Sequence, residues 1–170
     1  MIITAGIYKG RKIEAPNEKI TRPTLSKTRM GVFNTLYSLL GDFSNKSFLD
    51  VFGGSGIMGI EAISRGFESV TVFEKNKFAA NTIKNNYKLL NLVPNIYIGN
   101  SEILIKKINN KFNVAYVDPP FESNLYAIIE NTKADIIAVE HSKKLDLENY
   151  NIIKEKVYGS VTVTYIEGNL

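Results

Sequence analysis

Short apolar runs with the character of β-strands alternate with helical stretches through most of this chain of 170 residues. Strands that alternate with helices form a parallel sheet covered on both faces. The chain ends differently, because its last two apolar runs flank Gly159-Ser160, a two-residue loop that suits a β-hairpin. We therefore predict an α/β, Rossmann-like fold whose mostly parallel sheet of seven strands ends in an antiparallel hairpin. The predicted strands are 48–52, 69–73, 95–98, 114–117, 136–139, 151–158 and 161–167.

The predicted helices lie between these strands and before the first of them. The segment 141–151 has room only for a loop or a single turn, so one face of the sheet should be partly uncovered. Strand-like runs at 2–4 and 12–14 flank a glycine-containing turn, which predicts a small N-terminal β-hairpin joined to the first helix. Apolar residues at helical spacing predict helices over 26–40, 76–92, 102–108 and 125–131, with a further helix within 53–66.

Length and composition bound the class of protein. The length suits a single domain, in which residues 1–24 form a basic hairpin extension and residues 25–170 form the Rossmann-like core. The absence of cysteine excludes disulfides and thiolate metal sites, and no His, Asp and Glu residues have metal-ligand spacing, so we expect no metal. No apolar run approaches the ~18 residues of a membrane span, and the first residues lack signal-peptide features. We expect a cytoplasmic monomer that does not bind membranes.

The excess positive charge lies in one segment. The net charge of the chain is +4; residues 1–29 contain seven basic and two acidic residues, and the rest contains 14 basic and 15 acidic residues. Cations clustered on one element are typical of nucleic-acid binding, although a solvated basic face would have the same composition. The candidate RNA contacts are Lys9, Arg11, Lys12, Arg22, Thr24 and Arg29.

Three glycines, Gly54, Gly56 and Gly59, follow the strand at 48–52 in a G-x-G-x-x-G spacing. Between a strand and a helix, glycines allow a ligand to approach the backbone closely. Glu74 ends the next strand, where a carboxylate can accept both ribose hydroxyls of an adenosine. The spacing alone is a weak signal, since a tight turn followed by an exposed acid has the same pattern. Together, the strand, the glycines and the acid favour an adenosine-containing cofactor.

Asp50 interrupts the apolar strand just before these glycines. A carboxylate there would repel the pyrophosphate of a dinucleotide and attract the ammonium and sulfonium groups of S-adenosylmethionine. The terminal hairpin also disfavours an NAD-dependent oxidoreductase. We therefore favour S-adenosylmethionine as the cofactor.

The tetrapeptide Asp118-Pro119-Pro120-Phe121 follows the strand at 114–117 and should face the glycines across the ligand crevice. An aromatic exocyclic amine is a poor nucleophile because its lone pair is delocalised into the ring. The Asp118 carboxylate and the Pro119 carbonyl can accept hydrogen bonds from its N–H groups and localise that pair. The prolines hold these acceptors rigidly, and Phe121 offers a face on which an extruded base can stack. The tetrapeptide thus predicts methyl transfer to such an amine.

These residues also resemble the motifs of a known family. DPPF resembles the (D/N/S)-PP-(F/Y/W) motif of class I S-adenosylmethionine-dependent amino-methyltransferases. Over nearly all of its length, the chain resembles the RsmD family of 16S ribosomal RNA guanine-N2 methyltransferases. The segments that carry the resemblance occur in the family's order and are IITAGIYKGRKI, RPTLSKTRMGVFNTL, LDVFGGSGIMGIEAISRG, FEKN, VDPPF, VEHSKK and KVYGSVTVTYI.

The resemblance implies methylation of the exocyclic N2 amine of a guanine in 16S ribosomal RNA, within the assembled small ribosomal subunit. It also implies the site residues. Residues 118–121 would carry the reaction, and Asn100 or Ser101 would lie near the adenine of S-adenosylmethionine. Glu74 would bind the ribose, with Lys75 beside it. The methionine part would be held by Asp50, Phe52, Gly53, Gly54, Ser55 and Gly56.

Other functions fit parts of the sequence. An adenine methyltransferase acting on DNA or RNA, or a protein glutamine methyltransferase, would use a similar tetrapeptide. A DNA enzyme usually needs a target-recognition domain, and no segment here is long enough for one. A non-catalytic RNA-binding module is disfavoured by the intact tetrapeptide and glycine loop. His141, the single histidine, is expected to be structural. Whether Glu140 supports the site is left open by the sequence.

Overall fold

The computed structural model describes residues 1–15 and 25–168. Seven strands form one sheet in the order β3-β2-β1-β4-β5-β7-β6. The first five strands in the chain are parallel, whereas β7 pairs antiparallel with both β5 and β6. The strands are β1 Ser47–Asp50, β2 Ser69–Glu74, β3 Asn95–Ile98, β4 Phe112–Val117, β5 Ala134–His141, β6 Ile152–Tyr158 and β7 Val161–Glu167. The helices are α1 Ser26–Leu40, α2 Ile57–Ser64, α3 Lys77–Leu89, α4 Ser101–Lys107 and α5 Leu125–Asn131.

Each face of the sheet carries its own apolar core. Side chains alternate between the faces along a strand, so Phe48 and Leu49 belong to different clusters. Helices α1, α2 and α3 cover the first cluster, and α4, α5 and Leu147 cover the second. None of the helices in the described residues is long and apolar enough to span a membrane.

The predicted α/β fold, with a mostly parallel sheet and a terminal hairpin, is confirmed. Helices α1 and α5 and strands β3 and β7 have the predicted bounds, and the other elements differ only at their ends. Helix α4 begins one residue early because the Asn100 side chain accepts hydrogen bonds from the amides of Glu102 and Ile103 and caps it. Residues 142–151 contain no helix, and Ile152 and Val157 on β6 remain exposed, as expected for a partly uncovered sheet.

The N-terminal hairpin is shorter than predicted. Segments 2–4 and 12–14 pair through one antiparallel bridge, between Ile2 and Lys12, rather than as two strands. The chain from Thr4 to Tyr8 binds α2 instead. The Thr4 amide donates to Glu61 Oε1 at 2.7 Å, and the Tyr8 amide donates to Ser64 Oγ at 3.0 Å. Residues 4–8 therefore lie against α2, whereas Arg11 and Glu14 contact α3.

Glu61 is the centre of a buried ion-pair network. Its carboxylate lies 3.4 Å from Arg29 Nε and 3.1 Å from Arg65 Nε, so it joins α1 to the end of α2. Burial lowers the pKa of Arg29, and the charge of Glu61 opposes this change. A buried cation stays charged only with such a partner, so the network holds the N-terminal residues, α1 and α2 together.

Candidate active site

A cavity of about 600 Å³ lies at the carboxyl ends of the parallel strands. The sheet order reverses between β1 and β4, and open α/β sheets bind ligands at this point. Its volume suits a small-molecule ligand. The predicted site residues that line the cavity are Phe52, Gly53, Gly54, Ser55, Glu74, Lys75, Ser101, Asp118, Pro119, Pro120 and Phe121. The other predicted cofactor residues, Asp50, Gly56 and Asn100, are not part of this lining.

The glycine loop after β1 forms one wall of the cavity. Gly54 and Gly56 have positive φ angles of 56° and 79°, which L side chains rarely adopt. The Gly53 amide donates to the Phe73 carbonyl at 2.8 Å and fixes the loop against β2. Gly59 has a different role from the predicted one, because a Cβ there would lie 2.5 Å from the Tyr87 hydroxyl. Gly54 thus lines the cavity and Gly56 forms the turn into α2, whereas Gly59 permits close packing of α2 on α3.

Glu74 forms the next part of the wall, at the end of β2. Its two oxygens accept hydrogen bonds from the Gly54 amide at 2.8 Å and the Asn76 amide at 2.7 Å. These bonds fix the carboxylate, which is 7% exposed and faces the cavity. A carboxylate oxygen can accept more than one hydrogen bond, so Glu74 can also accept the hydroxyls of a ribose. Lys75 follows it on the cavity rim and is exposed.

Asp50 lies behind the glycine loop rather than in the cavity. It is 1% exposed, and neither carboxylate oxygen accepts a well-formed hydrogen bond from a described residue. Burial raises the pKa of Asp50 to about 7, and the nearby amides of Phe52 and Gly59 only partly oppose this rise. The structure therefore does not support the predicted direct contact of Asp50 with a cofactor, since Asp50 is not part of the cavity lining. A cation in the cavity would stabilise the ionised form of Asp50.

The two residues predicted near an adenine differ in position. Asn100 is exposed, and its side-chain oxygen is engaged as the cap of α4. Ser101 is buried, lines the cavity and donates to the Val51 carbonyl at 2.6 Å. Of the two alternatives, Ser101 is the residue within reach of a ligand in the cavity, and Asn100 acts on it by fixing the start of the helix.

The tetrapeptide after β4 forms the opposite wall. Asp118 and Pro119 are half-buried, and Phe121 is 86% exposed at the cavity mouth. The Pro120 carbonyl accepts a hydrogen bond from the Ser123 amide at 3.0 Å, which turns the chain toward α5. Of the two proline carbonyls, that of Pro119 therefore remains the candidate acceptor for a substrate amine.

Beside Asp118, a buried pair joins the ends of β4 and β5. The Tyr116 hydroxyl donates a short hydrogen bond to Glu140 Oε2, and both residues line the cavity. Burial raises the pKa of Tyr116, and the negative charges of Asp118 and Glu140 raise it further. Because the hydroxyl stays protonated, it can fix the position of the Glu140 carboxylate next to Asp118.

The loop after β5 completes the cavity. The Lys143 ammonium lies 5.6 Å from the centre of the Phe121 ring, a distance typical of a cation–π contact. His141 holds this loop, because its Nδ1 lies 2.7 Å from the Lys143 carbonyl and its Nε2 lies 2.9 Å from Thr164 Oγ1. These contacts agree with the structural role predicted for His141.

The predicted RNA contacts separate into two groups. Lys9, Arg11 and Lys12 are exposed on the N-terminal segment, with Arg11 Nη2 donating to the Leu89 carbonyl at 3.0 Å. Arg29 is only 1% exposed and belongs to the Glu61 network, so its prediction as an RNA contact is corrected to a structural role. Arg22 and Thr24 lie outside the described residues.

Sequence reasoning missed several residues of the cavity. Tyr116 precedes Asp118 by two positions, so strand alternation could have placed both on the same face. Lys143 follows a strand whose end faces the crevice, and this position could have identified it as a residue of the cavity. Leu25 and Thr28, at the start of α1, also line the cavity, but no local pattern indicates how this helix lies against the sheet.

The fold and the sequence are similar to those of known methyltransferases. The structure of the Escherichia coli protein yhhF, described as a candidate methyltransferase, has a TM-score of 0.84 and 25% identity, covering 99% of this chain and 98% of that one. Ribosomal RNA small subunit methyltransferase D from Buchnera aphidicola subsp. Acyrthosiphon pisum is 34% identical, covering 94% of this chain and 88% of that protein. The protein of the same name from Haemophilus influenzae is 33% identical, with coverages of 94% and 90%.

The fold and these relatives define the chain as a Rossmann-like methyltransferase. The model of the family described as Conserved hypothetical protein 95 matches residues 1–167, so the chain belongs to this family. The resemblance to the RsmD family is thereby confirmed.

Proposed function

We propose that the protein methylates the exocyclic N2 amine of a guanine in 16S ribosomal RNA, with S-adenosylmethionine as the methyl donor. The observation that carries this proposal is the shared cavity, in which Asp118 and Pro119 lie opposite Gly54 and Glu74. One wall suits an adenosine-containing cofactor and the other suits an aromatic amine. The names of the relatives, which are small-subunit ribosomal RNA methyltransferases, support RNA as the substrate.

The cofactor wall fits S-adenosylmethionine. The Glu74 carboxylate, held by two amides, is an acceptor for the ribose hydroxyls. The positive-φ glycines expose the loop backbone, and the buried Asp50 carboxylate favours a cation in front of it. When bound, S-adenosylmethionine supplies an electrophilic methyl group on a positively charged sulfur. The cavity residues contribute by binding and orienting the partners.

The substrate wall acts on the amine. The Asp118 carboxylate and the Pro119 carbonyl accept hydrogen bonds from the two N–H groups, which draws the nitrogen toward tetrahedral geometry and localises its lone pair. Phe121, exposed at the mouth, stacks on the extruded base. After transfer, the ammonium product loses its proton to water, so no strong base is needed.

The exposed Lys9, Arg11 and Lys12 support RNA as a partner, because cations on one surface attract the phosphate backbone. We propose that residues 1–24 and 25–170 act as one domain, the first part as an RNA-binding extension. The assembled small subunit as the form of the substrate, a monomeric enzyme and a cytoplasmic location belong to this proposal.

The proposal is tested with methyl-labelled S-adenosylmethionine and small subunits from cells that lack the activity. We expect label in the RNA, and mass spectrometry of the nucleosides should identify N2-methylguanosine. Parallel reactions contain the same RNA without ribosomal proteins, DNA, and a protein with exposed glutamines. Label in N6-methyladenosine, in DNA or in glutamine would reject the proposed substrate, and the absence of any transfer would favour a binding module.

The RNA-binding role of the N-terminal segment has its own test. Replacement of Lys9, Arg11 and Lys12 by alanine should weaken binding to the small subunit. It should also lower the slope of log K against log salt by about two to three units, because three phosphate contacts are lost. A triple variant of Lys84, Lys88 and Lys106, on α3 and α4, is the matched control. Equal salt slopes for the two triple variants would contradict a specific role of the segment.

A further inference from the structure

The substrate wall contains a second carboxylate, and we propose that Glu140 recognises the guanine base by accepting a hydrogen bond from its N1–H. This inference rests on the proposed function and names the residue that sets base specificity. On the Watson–Crick edge of guanine, N1–H and the N2 amine are neighbouring donors. Two neighbouring acceptors, Asp118 for the amine and Glu140 for N1–H, match this edge.

The topology brings the two carboxylates together. Strands β4 and β5 are parallel neighbours, with Tyr116 opposite Ala138 and Val117 opposite Val139. Asp118 directly follows β4 and Glu140 is the last but one residue of β5, so the two residues lie side by side at this edge of the sheet. Both line the cavity, and both charges act on the Tyr116 hydroxyl that lies between the strand ends.

Tyr116 prepares Glu140 for this role. Its hydroxyl donates to Glu140 Oε2, and this bond fixes the direction of a side chain that is only 8% exposed. A carboxylate held in this way presents only acceptors, and each oxygen can accept a further hydrogen bond. The N–H of a base that enters the cavity can therefore share the carboxylate with Tyr116.

This arrangement discriminates between bases. Guanine offers a donor at N1, whereas adenine offers an acceptor there. An adenine placed with its edge toward Glu140 would bring two acceptors together in a buried position, which is an unfavourable arrangement. Asp118 alone cannot discriminate, because any exocyclic amine satisfies it. Glu140 therefore supplies the specificity that the tetrapeptide lacks.

The test replaces the target guanine by 2,6-diaminopurine in small subunits reconstituted from ligated RNA. This analogue keeps the 2-amino group, but its N1 is an acceptor. The wild-type enzyme should show kcat/KM for N2-methylation that is about 10²-fold higher on guanine than on the analogue. In Glu140→Gln, the amide N–H₂ can face the bare N1, so this ratio should fall to about tenfold or less.

The control is Asp135→Asn, which changes the acidic residue at the other end of β5, where it contacts Lys111 and Asn113. It should keep the wild-type ratio. Tyr116→Phe, which removes only the hydroxyl that orients Glu140, should lower the ratio and carries the test if Glu140→Gln does not fold. A purely structural role would lower both rates together and leave the ratio unchanged, and that result overturns the inference. If the wild-type enzyme transfers no methyl group to guanine, the proposed function itself fails.

Discussion

The two walls of the cavity differ in how firmly they are fixed. On the cofactor wall, the Glu74 carboxylate is 7% exposed and bound to two backbone amides, and the Gly53 amide is bound to β2. On the substrate wall, Phe121 is 86% exposed, and its side-chain contact is with Lys143 on a facing loop. A small cofactor can bind a prebuilt pocket, whereas a base carried by a large RNA needs an open entrance. Changes on the two walls should therefore separate cofactor binding from RNA binding.

The largest effect is expected from Asp118→Ala. Loss of the acceptor should lower the rate of methyl transfer about 10²- to 10³-fold, because the amine lone pair is no longer localised. The fold and the affinity for S-adenosylmethionine should change little, as measured by thermal unfolding and calorimetry. Asp118→Asn is the matched control, since it keeps one acceptor oxygen and should retain more activity. Full activity of Asp118→Ala in single-turnover assays would remove Asp118 from the mechanism.

Glu74→Gln should act on the other wall. The amide cannot accept hydrogen bonds through both of its ends, so the bonds to Gly54 and Asn76 cannot both persist. We expect cofactor binding to weaken about 10- to 100-fold, while RNA binding without cofactor stays unchanged. Glu68→Gln, an exposed carboxylate beside the opposite end of β2, is the control. Equal calorimetric affinities of the two variants would show that Glu74 does not bind the ribose.

Phe121→Ala should have the opposite effect to Glu74→Gln, because it should weaken RNA binding rather than cofactor binding. Loss of one base-stacking face should weaken RNA binding roughly 5- to 150-fold, corresponding to about 1–3 kcal/mol. Thermal stability should not change, because the ring is exposed. Phe78→Ala, a phenylalanine that is 76% exposed and outside the cavity lining, is the control. Weaker cofactor binding without a loss of RNA affinity would contradict the assignment of Phe121 to the substrate wall.

The last prediction concerns the pH dependence of stability that Asp50 causes. Its pKa is raised from 3.8 to about 7 in the folded protein, so between these values the folded state binds more protons than the unfolded state. The free energy of unfolding should therefore fall as the pH rises from about 4 to 7, by up to about 1.4 kcal/mol per pH unit.

Denaturant titrations of Asp50→Asn and the wild type from pH 4 to 8 check this expectation. The variant should lack this part of the pH dependence, so its stability relative to the wild type should rise with pH. Saturating S-adenosylmethionine should reduce the difference, because a bound cation favours the ionised Asp50. Parallel pH profiles of the two proteins would show that Asp50 titrates normally in the fold.

The sequence predicts the elements better than the tertiary contacts. Alternation of strands and helices, and the Gly159-Ser160 loop, were enough for the sheet and its terminal hairpin. The glycine loop and the tetrapeptide could be assigned to one site because the carboxyl ends of parallel strands lie at the same edge of the sheet. The burial of Arg29 could not be predicted, because its partner Glu61 is 32 positions away and nothing local marks the pair. The hydrogen bond between Tyr116 and Glu140 could not be predicted either, because it depends on which strands become neighbours in the sheet.

Helix α2 connects two features that were described separately. It starts directly after Gly56, the last residue of the glycine loop, and near its other end Glu61 and Ser64 bind the N-terminal segment. The eight residues of α2, Ile57–Ser64, correspond to about 12 Å along a rigid axis. Under the proposed function, this helix sets the distance between the N-terminal segment, which would bind the phosphates, and the cavity, which would bind the methyl donor. If the proposed function holds, an RNA loop in which the distance from the bound phosphates to the extruded base does not match this length would bind without being methylated.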